Sequence, residues 1–176
     1  MSVRIEAFRM PRYREIPNVG LYLDQTVKYI NGFLEPLGCI EITASMVSNY
    51  VKKGYIENPV RKQYSADQIA YLFVIAIIKS VVSMENIVRL FGRQRMTYTS
   101  EVAYDYFCTE LENMLSYTFG LKNAADEVGV TTSMEKDMLR SVIIAVAHII
   151  YLTSRFDAMI PQEETAVLPA PEAEVQ

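Results

Sequence analysis

A chain of 176 residues, 51% apolar and 22% charged, has the make-up of one ordinary globular domain, or of two small ones sharing a core. Its two cysteines, Cys39 and Cys108, stand far apart with no CxxC partner, which excludes a zinc ribbon and a disulfide framework and predicts two buried apolar fillers. The net charge of −4 is unevenly shared: residues 1–100 carry 13 Lys and Arg against 8 Asp and Glu, whereas residues 101–176 carry 4 against 13. A basic half joined to an acidic half hints at a nucleic-acid surface on one side.

Residues 1–21 are basic but contain no apolar run before a small-residue cleavage site, so they do not read as a signal peptide, and the chain is expected in the cytoplasm. Arg4, Arg9, Arg12 and Arg14 read as a flexible arm reaching for DNA. Residues 22–96 follow as a first domain. Helical spacing of Val27, Ile30 and Leu34 predicts a helix over 23–34, closed by Pro36 and Gly38. Thr43 is the N-cap of a short helix carrying Met46, Val47, Tyr50 and Val51 until Gly54 stops it.

Residues 57–63 contain Pro59 and read as a loop or short wing. Ser65 with Gln68 is a capping box at the mouth of the most apolar segment, 69–82, which is apolar all round and therefore central. Ser83 caps a short helix ending at Gly92. Strand signals are scarce, and no Asn-Gly or Asp-Gly turn occurs.

The C-terminal helical region, residues 97–160, holds two longer helices. One runs from Ser100 to about Phe119 and ends at Gly120; the other opens on a Thr132/Glu135 capping box and runs to about Phe156. The apolar runs 69–78 and 142–152 fall short of the ~20 residues that span a bilayer, so no membrane partner is expected. Residues 161–176, rich in Pro and Glu and lacking aromatics, read as a disordered tail. The fold class is all-α.

The stretch Ile42-Thr43-Ala44-Ser45-Met46-Val47-Ser48-Asn49-Tyr50-Val51-Lys52-Lys53-Gly54-Tyr55-Ile56, followed by Pro59, Arg61 and Tyr64-Ser65, resembles the DNA-binding domain of the MerR family. There a Ser or Thr opens the recognition helix, a Gly ends it, a Pro/Arg loop forms a wing, and Tyr-Ser caps the next helix. The whole chain is also similar to an uncharacterised bacterial family that adds C-terminal helices to such a domain. The resemblance implies a MerR-like helix-turn-helix domain followed by a helical C-terminal layer, and a DNA-binding transcriptional regulator, dimeric on duplex DNA.

Thr43, Ser45, Ser48, Asn49 and Tyr50 would then face the groove, and Lys52, Lys53, Arg61 and Lys62 would grip phosphates. Ser45, Ser48 and Asn49-Tyr50 stand where that family has arginines and a Tyr-Tyr pair, and Arg61-Lys62-Gln63 is a shortened wing tip. A protein-interaction or dimerisation module on the same scaffold, without DNA binding, is the alternative.

Catalytic and metal signatures are lacking. His148, the sole histidine, lies among apolar residues and reads as a core side chain; no phosphate loop, dinucleotide fingerprint or nucleophile elbow occurs. No enzyme activity, cofactor or metal is expected. Glu101, Asp105 and Glu110 read as a solvated face. Met84, Met96, Met114, Met134 and Met138 read as core filling, leaving a small-molecule effector between the late helices as an open possibility. Tyr98, Tyr104, Tyr106, Phe107, Tyr117 and Tyr151 suit the chain's own core before an interface.

Overall fold

The computed structural model describes residues 4–129 and 133–159. They form an all-α fold of six helices with one minimal ribbon: β1 (Leu21–Tyr22), α1 (Leu23–Leu34), α2 (Ala44–Lys52), β2 (Gln63–Tyr64), α3 (Ala66–Ile78), α4 (Met84–Thr97), α5 (Ser100–Thr118) and α6 (Met134–Met159). α3 is the hub, buried without a break from Ile69 to Ile78 and packed against α1, α5 and α6. Such a helix has no solvent face to spare, which is why its sequence lacks amphipathic alternation.

The local signals that start helices act as read. Thr43 Oγ1 accepts Met46 N at 3.2 Å, and Ser65 exchanges bonds with Gln68 in both directions. α1 spans the expected residues and turns Ile30 and Leu34 inward. Gly54 and Gly120 sit at φ 72° and 76°, the left-handed geometry that closes α2 and α5.

Ser133 accepts Lys136 N at 3.2 Å at the start of α6. Thr132, the expected cap, lies outside the described residues, as does the expected tail, 161–176.

Two expectations of the fold are corrected. α4 does not stop at Gly92 but runs on to Thr97, because its next turn is tethered: Arg93 pairs with Glu135 at 2.7 Å and Gln94 accepts from Tyr71 Oη at 3.1 Å. α6, 26 residues, is by length and composition long and apolar enough to cross a membrane, a test that the core helix of a globular protein also passes. Its inner stripe, Ile143, Val146, Ala147 and Ile150, packs on α5.

The N-terminal segment is no flexible arm. Met10 is fully buried, and the segment lies along α5. Each arginine is spent on a carboxylate: Arg4 on Glu35, Arg9 on Glu15, Arg12 on Glu112 and Arg14 on Glu101. Side chains from both halves of the chain, Ile30 and Val47 with Phe107 and Ile150 among them, belong to one core cluster.

Candidate nucleic-acid interface

The start of α2 is fixed from below. Asn31, inside α1, donates from Nδ2 to Ile42 O at 2.8 Å and accepts Ile42 N at 2.9 Å, so an amide side chain stands in for a strand partner and locks the residue before the cap. Val47 and Tyr50 then face the core. Ser45, Ser48, Asn49 and Lys52, spaced by three and four, form the exposed outer face, with Thr43 exposed at its head and Lys53 at its foot.

Tyr50 is corrected as a DNA contact. It is 7% exposed, burial raises its phenol pKa, and its carbonyl accepts the Tyr55 and Ile56 amides that fold the chain back after Gly54.

The residues after α2 turn back and pair with the chain before α1. β2 pairs antiparallel with β1, Leu21 opposite Tyr64 and Tyr22 opposite Gln63, which ties the ribbon to the head of α1. Gln63 N donates to Val60 O at 2.9 Å around a two-residue tip, Arg61 and Lys62, both at positive φ (52° and 64°). Positive φ at both central residues belongs to type I′ hairpin turns, whose preferred residues are Asn and Gly. Long cationic side chains occupy a strained backbone there.

Gly20, at φ 81°, lets β1 pass close to β2: a Cβ there would meet Gln63 Cβ at 3.0 Å.

Lys52, Arg61 and Lys62 are exposed and form no ion pair or side-chain hydrogen bond among the described residues. Lys53 attracts Glu85, whose carboxyl is held below the usual range chiefly by a backbone amide and the Tyr55 hydroxyl. Of the basic residues of the first hundred, Arg4, Arg9, Arg12, Arg14 and Arg93 pair with carboxylates, Lys79, Arg89 and Arg95 bond to uncharged groups, Lys28 is exposed on α1, and Lys52, Lys53, Arg61 and Lys62 point outward from α2 and the turn before β2. Asn31, Gly20 and the exposed Tyr22 are the site residues that sequence reasoning passed over; only an Asn within an amphipathic helix and a Gly before a short apolar pair marked them.

Chemistry elsewhere is structural. Glu101 and Asp105 do not form a solvated face: Glu101 accepts from Arg14, and Asp105 accepts Tyr13 N at 2.7 Å. Glu110 is 1% exposed and lies 3.0 Å from Arg140; burial raises its carboxyl pKa, against the pull of Arg140. His148 is exposed, not a core side chain, and Cys39 is exposed while Cys108 is buried. Met96, Met134 and Met138 stand in solvent, so Met114 alone of the late methionines is fully core. Among the described residues no three His, Cys, Asp or Glu gather where a metal would sit.

Residues 11–107, more than half of the chain, match a family model described as Domain of unknown function (DUF1836). No curated protein and no solved structure matches the chain.

Proposed function

We propose that this chain, which belongs to the DUF1836 family, binds duplex DNA as a MerR-like transcriptional regulator in the cytoplasm. In this reading α2 is the recognition helix and the β1–β2 ribbon the wing. The observation that carries it is the pair Arg61-Lys62. Two cations without partners among the described residues occupy a turn whose backbone favours Asn-Gly, a local cost that makes sense when the side chains serve a polyanion. Lys52 and Lys53 add charge at the foot of α2, and Thr43, Ser45, Ser48 and Asn49 are short enough to approach base edges and phosphates.

Regulators of this kind present two recognition helices, and α6 offers the means. Its outer stripe, Met138, Val142, Ala145, Ile149, Leu152, Phe156 and Met159, advances by alternating steps of four and three, the heptad spacing of a helix seam. Most of those side chains are exposed. We assign the seam to a second copy, giving a homodimer.

The test compares the wild type with the triple variant Lys52→Ala, Arg61→Ala, Lys62→Ala on random duplex DNA. Each phosphate contact contributes ~0.9 to the slope of log affinity against log salt, so the variant's slope should be shallower by about 2.7 per copy, or about 5.4 for the dimer, with circular dichroism unchanged. A docking module on the same scaffold would bind random DNA feebly at any salt, and the variant would change nothing.

A further inference from the structure

Away from α2 and the ribbon, α3, α4, α5 and the start of α6 enclose an apolar cleft of about 320 Å³. Packed interiors leave few voids larger than a water, and an enclosed engineered cavity of ~150 Å³ already takes up benzene, so a largely apolar cleft of this size has room for a ring compound. Its origin lies in the packing. α4 rests chiefly on α6, so the buried face of α3 that looks toward α4 is covered less tightly than the rest. Ala70, Tyr71 and Val74 keep 3–9% exposure, while every other residue from Ile69 to Ile78 keeps 2% or less.

The chemistry of the walls specifies the guest. Rings of Tyr71, Phe91, Tyr98 and Phe107, with Leu139, line the space. The charged groups on its rim are already engaged, as are Tyr71 and Gln94: Tyr71 Oη donates to Gln94 Oε1 at 3.1 Å and accepts Arg95 Nε at 2.9 Å, Gln94 Nε2 donates to Tyr98 O at 2.8 Å, and Glu135 is held by Arg93. Lys136, also on the rim, donates to Gly129 O at 3.0 Å and lies over the Tyr106 ring. The lining residues Tyr104 and Tyr106 carry buried hydroxyls without a hydrogen-bond partner among the described residues, and these are neutral groups. A charged guest would lose its hydration and gain at most neutral phenols; a flat neutral ring would lose little and stack on aromatic faces.

We propose that this cleft binds an uncharged ring compound. The site stands independently of the DNA reading, and its test does not involve DNA.

The probe is indole, with indole-3-carboxylate as the charged counterpart, added to the full chain in thermal unfolding. At tenfold excess over Kd, indole should raise Tm by about 3–6 °C, and the carboxylate should not. Ala103→Trp, which places the same ring in the cleft, and the milder Ala103→Leu should each remove the indole shift. Lys28→Ala, on the exposed face of α1, should keep it. No shift at millimolar indole, an equal shift in the Ala103 variants, loss of the shift in Lys28→Ala, or stronger stabilisation by the carboxylate would each overturn the proposal.

Discussion

The guanidinium of Arg12 makes two parallel bonds to Glu112, at 2.8 and 2.6 Å, while its Nη1 also donates to Met10 O; that of Arg61 reaches into solvent from a left-handed backbone. Arg12→Lys keeps the charge but loses the fork, and should cost about 1–2 kcal/mol in urea unfolding. Replacing the ribbon tip by Arg61→Asn with Lys62→Gly should do the reverse, adding about 1–2 kcal/mol by relieving the turn while weakening DNA binding. Glu110 supplies a pH dependence. Its pKa is raised in the folded chain, so the folded state binds a proton that the unfolded state has already released, and stability falls as pH rises from the ordinary carboxylate range through the raised value. Glu110→Gln should therefore gain on the wild type between pH 5 and pH 8 in parallel unfolding titrations. The outward cations were legible in the sequence because four of them cluster within eleven residues. Arg12 was not, since its partner Glu112 lies on α5 and only folding reveals that its charge is consumed.

Helix starts were legible wherever the cap is local. Thr43 and Ser65 bond to amides three residues on, so spacing alone identifies them. α4 was misjudged because Gly92 is a weak stop signal and the contacts that override it, Arg93 to Glu135 and Gln94 to Tyr71, come from other helices. A Cβ at Gly92 meets no atom within 4 Å, so Gly92→Ala should raise stability by about 0.5–1 kcal/mol, measured by chemical unfolding. The ribbon could be read only as a loop or short wing, since its two strands are two residues each and far apart in sequence, and the Val60–Gln63 turn that leads into β2 carries Arg-Lys where Asn-Gly would have signalled a tight turn. The exposed stripe of α6 was hidden for a different reason: its apolar residues look alike in sequence, and only the packing of Ile143, Val146 and Ile150 on α5 tells the covered stripe from the open one.

For the molecule as a whole, Arg12 and Arg14 tie the N-terminal segment to Glu112 and Glu101 of α5, Arg4 ties it to Glu35 at the end of α1, and Arg9 pairs within the segment, whereas the cations of α2 and the turn before β2 remain outward. If α6 joins two copies, Leu152→Glu with Phe156→Glu should halve the mass seen in sedimentation equilibrium and leave helicity intact. The sharpest measurement of the central claim is the affinity of the full wild-type chain for random duplex DNA between 50 and 200 mM salt. DNA binding by the dimer predicts measurable affinity at the low end and a log–log slope of about −5 to −7, as expected for three or four phosphate contacts in each of two copies. Weak binding that does not change across that range would contradict it.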